Sequence, residues 1–160
     1  MGKSNVLLRI SNRQYSESVE KKGNSFGRKL TLDDEMEEVT EATVYEKNGN
    51  TYITYEEVED DDRVGGRVMV KIMGDVVEVH RYNKHREGDS LELHLEEGKS
   101  NFIRCILPIG TLNIEMVTHK VEVELDENGH GRVFAEYSMN IGDDDMEDRR
   151  VRLELTTRPL

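Results

Sequence analysis

Apolar residues recur at every second position along much of this chain. Val121, Val123 and Leu125 alternate with Glu122 and Glu124. Leu91, Leu93 and Leu95 alternate with Glu92 and His94. Leu112, Ile114 and Met116 alternate with Asn113 and Glu115, and Val151, Leu153 and Leu155 with Arg152 and Glu154. Successive side chains of a strand point to opposite faces, so each run predicts a strand with one buried and one wet face. No stretch carries a helical stripe of useful length.

Turn residues separate these runs. Lys47-Asn48-Gly49-Asn50 lies between Thr43–Glu46 and Thr51–Glu57, and Asn-Gly accepts the positive φ of a tight hairpin. Met73-Gly74-Asp75, Glu97-Gly98-Lys99 and Asp126-Glu127-Asn128-Gly129 serve the same purpose, as does the bend at Pro108 and Gly110. Links this short join antiparallel neighbours. The spacing predicts roughly nine to eleven strands. A half-polar sheet of that size hides its edges best by closing into an up-and-down barrel, with a β-sandwich as the alternative. The expected fold class is therefore all-β, one antiparallel barrel over residues 1–160. The polar segment Asn12–Asp34 breaks the alternation and is expected as a flexible loop. Gly142–Asp148, with Asp143-Asp144-Asp145, is expected as a solvated turn.

The 160 residues suit one domain, and the net charge of −12 limits its partners. Nucleic acid and anionic membrane surfaces both demand clustered Lys and Arg, so neither is an expected partner. A basic protein is the partner class that the charge favours. One cysteine, Cys105, makes no internal disulfide and no thiolate metal cage. Its neighbours Phe102, Ile103, Ile106 and Leu107 mark it as a buried or half-buried structural thiol. With no secretory leader and no span of ~20 apolar residues, a cytoplasmic location is expected. There is no Gly-x-Ser-x-Gly elbow, no phosphate-binding loop and no dinucleotide fingerprint, so neither enzyme activity nor a cofactor is expected.

The order of several segments resembles a known family. Glu38-Val39-Thr40-Glu41-Ala42 leads through Asn48-Gly49 to Tyr52-Ile53-Thr54-Tyr55-Glu56-Glu57. Lys71-Ile72-Met73-Gly74-Asp75 follows, then Leu107-Pro108-Ile109-Gly110, Thr118, and Val121 through Gly129. The arrangement is similar to the YwiB-like family of small bacterial proteins. That resemblance implies a calycin-type barrel, like lipocalins and fatty-acid-binding proteins, with no established function and no catalytic residues to carry over. It covers the first strand and most of the chain from about Met36. The chain departs from the family in placing Leu107 and Ile109 around the Pro-x-Gly turn and in the length of Asn12–Asp34.

Three groups of residues carry candidate chemistry. If Val76–Tyr82 pairs with Ser90–Glu96 about Arg86, then His80 faces Glu92 and Glu78 faces His94 on one sheet face. Two imidazoles and two carboxylates there form a candidate metal set, although such pairs are common on a solvent face. The acidic runs Asp143-Asp144-Asp145 and Asp60-Asp61-Asp62 lack calcium-loop spacing. The third group is polar residues within apolar faces. Arg81 shares parity with Val77 and Val79, Arg104 with Phe102 and Ile106, and Tyr137 with Val133, Ala135 and Met139. Pointing inward, these three side chains can grip a carboxylate-bearing or amphipathic ligand. The leading expectation is a non-enzymatic binding protein holding a small molecule in the barrel. The alternatives are a ligand-free interaction module with an acidic surface and, third, a metal-dependent enzyme.

Overall fold

Ten strands close into one antiparallel barrel in a computed structural model that describes residues 3–57, 66–83, 90–139 and 148–160. In chain order they are β1 (Ser4–Lys22), β2 (Ser25–Lys47), β3 (Asn50–Glu56), β4 (Gly66–Met73) and β5 (Val76–Asn83). β6 (Ser90–Leu95), β7 (Ser100–Leu107), β8 (Gly110–Leu125), β9 (Gly131–Met139) and β10 (Asp148–Pro159) complete the wall. Each strand pairs with the next, and β10 returns to β1, so the sheet is a closed meander rather than a sandwich.

The alternation read from the sequence becomes the wall. Val68, Val70 and Ile72 of β4 are buried, as are Val133, Ala135 and Tyr137 of β9 and Val151 and Leu155 of β10. Leu8, Ile53, Leu95 and Met116 are almost wholly enclosed at the centre. β8 shows how the chain reconciles two runs of opposite parity. Met116 and Thr118 point inward, and so do Val121, Val123 and Leu125. A register shift between Thr118 and Lys120 inserts one extra residue, His119, which flips the parity. The two runs are therefore one bulged strand of 16 residues.

Tight turns shape one end of the barrel. Asn48 and Gly49 both adopt positive φ, 55° and 81°, as the Asn-Gly hairpin requires. In the β8–β9 turn, Asp126 Oδ1 accepts hydrogen bonds from the amides of Asn128 and His130, both at 2.9 Å. These bonds hold its carboxyl below the usual range. At the opposite end β3, β5, β7 and β9 finish and β1 and β2 run on.

That run-on corrects the expected loop at Asn12–Asp34. β1 pairs with β2 as far as Lys22 and Ser25, with one bulge opposite Gln14 and Tyr15, and Gly23 turns the hairpin. The segment hides its strand character because the positions facing inward there are polar, namely Asn12, Gln14 and Asp34. Alternation of polar with polar leaves no hydrophobic signal. The acidic runs at 60–62 and 143–145, and the bend about Arg86, lie outside the described residues.

Outward-facing charges on β8, β9 and β10 meet opposite partners across the strands, directly or diagonally. The Arg132 guanidinium donates to Glu154 and Glu122, each at 3.0 Å, and Arg152 donates to Glu136 at 2.5 Å. Cross-strand pairs of this kind contribute roughly 0.2–1 kcal/mol each.

Candidate functional site

The inward face changes character along the barrel axis. Toward the tight turns it is apolar, built from Val6, Leu8, Val44, Ile53, Val70, Ile72, Val77 and Leu95. Toward the other end the same inward parity meets polar groups. On β1 the series Val6, Leu8, Ile10 continues as Asn12 and Gln14. On β2, Val44 and Ala42 give way to Thr40 and Glu38. On β3, Ile53 gives way to Tyr55. On β8 and β9 the order is the reverse: Thr118, whose amide donates to the Lys99 carbonyl beside the β6–β7 turn, and Tyr137 lie deeper, and Met116, Ile114 and Met139 lie nearer the mouth. Cross-strand register confirms the shared face: Gln14 lies opposite Val151, Val151 opposite Tyr137, and Tyr137 opposite Thr118. Half-buried apolar groups remain among them, including Leu91, Cys105, Ile114 and Met139. The result is a mouth with mixed lining above a buried apolar floor.

Arg81 sits at this mouth on the inward side of β5, where parity with Val77 and Val79 places it. It is not free. Its Nε donates to Glu57 Oε1 at 2.5 Å and its Nη2 to Glu57 Oε2 at 3.2 Å, a bidentate pair. That bond to Glu57 raises the guanidinium pKa. The pair closes on Gly66, where an added Cβ would lie 3.1 Å from both Arg81 Nη2 and Glu57 Oε1. Next to it, burial drives the Tyr55 hydroxyl well above its ordinary pKa, reinforced by the Glu57 and Glu38 carboxylates. Both tyrosine and arginine therefore stay protonated across the ordinary pH range. A groove of about 650 Å³ opens alongside, where β3 ends and β2 continues, lined by Thr40, Thr54, Tyr55, Glu57 and Arg67.

Tyr137 is likewise inward and only 6% exposed, and burial pushes its hydroxyl up to about 12. Its cross-strand partner Thr118 is 1% exposed, and among the described residues the Thr118 Oγ1 has no hydrogen-bond partner. A buried hydroxyl without a partner costs about 1–3 kcal/mol, so it is a costly group to keep.

Arg104 corrects the sequence reading. Its side chain is 55% exposed, and Phe102, on the same face, is 61% exposed. The inward residues of β7 are Ile103 and Cys105, with Cys105 opposite Leu91. An exposed phenylalanine mimicked an inward parity there, so Arg104 belongs to the outer surface and not to the mouth. Cys105 is half-buried, and desolvation raises its thiol pKa, which disfavours the thiolate nucleophile.

The β5–β6 register is as the hydrophobic pattern required: Glu78 faces His94 and His80 faces Glu92. His94 Nδ1 lies 2.9 Å from Glu78 Oε2, whereas His80 Nδ1 lies 3.8 Å from Glu92 Oε1. These are two separate pairs on the outer face. Among the described residues no group of three or more His, Cys, Asp or Glu gathers to hold a metal ion. The candidate metal set therefore has its register but not its convergence.

Four residues at the mouth, Asn12, Gln14, Tyr55 and Glu57, went unmarked in the sequence reading, as did the deeper Thr118. The signal was present, because each continues the inward parity of an apolar run, Glu57 that of Ile53 and Tyr55. What no local pattern reports is that Glu57 meets Arg81 from 24 positions away.

Comparison with known proteins bears on the fold and the family. A crystal structure of the ywiB protein from Bacillus subtilis superposes with a TM-score of 0.63 at 16% identity, covering 96% of this chain and 93% of that one. That likeness speaks for the barrel alone. No curated protein matches the sequence. The family described as Domain of unknown function (DUF1934) matches residues 19–153. Most of the barrel wall thus lies within the matched span, and the chain belongs to this YwiB-like family of unknown function.

Proposed function

We propose that this protein is a non-enzymatic binding protein that seats a small amphipathic molecule at the polar mouth of its barrel. The observation that carries the reading is the inward polar set of Asn12, Gln14, Tyr55 and Glu57 at the mouth, beyond an apolar floor and the deeper Thr118 hydroxyl, which is buried without a partner among the described residues. Ligand sites pair apolar lining with a few convergent polar groups, and this mouth has both. The half-buried Leu91, Cys105, Ile114 and Met139 would meet an alkyl portion. Asn12, Gln14 and Tyr55 would meet its polar head.

The charge balance selects among head groups. Glu57 already occupies two donors of Arg81, and Glu38 and Asp34 add carboxylates on the inward face. An anionic head meets net repulsion, so an uncharged or cationic head is favoured over a carboxylate. This narrows the ligand class from that expected of an unpaired arginine. Calorimetric titration with decanol, decylamine and decanoate tests it, since the three differ only in the head. The expected outcome is saturable binding of one decanol or decylamine per chain, with decanoate at least about tenfold weaker, or 1.4 kcal/mol. Glu57→Gln should recover decanoate binding by releasing Arg81, while Arg104→Ala should change nothing. Absence of saturable binding for all three would sink the proposal.

A further inference from the structure

We propose that two copies of this chain associate through the edge of β2, paired antiparallel about a two-fold axis at Thr31. β2 pairs with β1 along its length as far as Ser25, but with β3 only from Ala42 to Lys47. Among the described residues, no strand lies against the other edge of β2 between Gly27 and Glu35. A strand edge of that length is a template for another strand.

The sequence along this edge is complementary to itself when reversed. With Thr31 opposite its own copy, Leu30 falls opposite Leu32 and Lys29 opposite Asp33. Apolar meets apolar and base meets acid at these two pairings on either side of the axis. The faces agree as well. Asp33 accepts a hydrogen bond from the Ser16 hydroxyl, and Ser16 is the cross-strand partner of Thr31. Asp33 therefore lies on the face of Thr31 and Lys29, as a cross-copy ion pair requires. Leu30 and Leu32 lie opposite Glu17 and Tyr15, on the other face. Leu32 is 49% exposed and gains a hydrophobic partner in the pairing. Competing registers lose this match: centring on Asp33 sets that carboxylate against its own copy. A two-fold contact uses the same patch on both chains, which suits a self-complementary edge.

Sedimentation velocity on the full chain across a concentration series tests the pairing. The expected result is a concentration-dependent dimer. Lys29→Glu, a change at an exposed position, puts like charges opposite each other and should raise the dimer Kd at least about tenfold. The double variant Lys29→Asp with Asp33→Lys restores opposite charges in both pairs and should restore the dimer. A wild-type chain that stays monomeric throughout would overturn the proposal. So would a dimer that Lys29→Glu leaves unchanged, or one that the double exchange fails to rescue while its circular dichroism remains that of the folded barrel.

Discussion

Replacing Gly131 with alanine should cost the barrel more than about 3 kcal/mol, a loss that singles out strained backbone positions. Gly131 opens β9 at φ 145°, a conformation that side chains rarely adopt. An added Cβ would sit 1.9 Å from the Glu124 carbonyl oxygen, on the neighbouring strand. That atom is backbone in the ladder of β8 with β9, so no rotamer change relieves the clash. The Gly131 amide also donates to Thr157 Oγ1 at 3.1 Å, and that hydroxyl in turn donates to the Gly129 carbonyl at 2.5 Å. A displaced Gly131 therefore loosens β10 as well. Gly74→Ala is the control. It shares positive φ, but nothing lies within 4 Å of its added Cβ, so only the left-handed backbone cost of about 1–2 kcal/mol applies. Urea unfolding followed by circular dichroism measures both. Equal midpoints for the two variants would mean that the β8–β9 contact is not as close as described.

Leu95→Ala should destabilise by about 2–5 kcal/mol, the range for emptying a packed core position. Leu95 has no exposed surface and lies opposite Val77 in the apolar floor. Its neighbours are strand side chains fixed on a closed wall, which relaxes poorly into a cavity. Leu112→Ala provides the contrast. Leu112 has the same inward parity but sits at the mouth, 53% exposed, and its loss should fall under about 1 kcal/mol. The difference between the two leucines measures the gradient from buried floor to exposed mouth. Unfolding midpoints at unchanged m-values would report it. Comparable losses at both positions would contradict that gradient.

The sequence made the wall legible wherever one face was apolar. Val76–Tyr82 and Ser90–Leu95 carried enough alternation to set their register residue by residue, because a slip by one would turn every valine and leucine outward. Arg81 and Tyr137 could be placed inward for the same reason. The pattern misleads where burial and hydrophobicity part company. At Asn12–Asp34 the inward positions are polar, so a paired strand looked like a loop. At Phe102 an apolar side chain faces solvent, so its parity partner Arg104 was assigned to the wrong side. The bulge at His119 reconciles two runs that each read correctly but pointed to opposite faces. The bond of Glu57 to Arg81 is a product of the meander, since β3 and β5 both flank β4. It matters most for function, because it turns an apparent anion-binding arginine into a neutralised one.

The proposed ligand seat is the polar mouth. Mapping amide chemical-shift changes on adding decanol tests it most directly. The largest changes should cluster at Asn12, Gln14 and Tyr55, with Val6, Val77 and Leu95 in the floor little affected. Changes confined to the outer face around His80, Glu92 and Arg104, with the mouth silent, would contradict it.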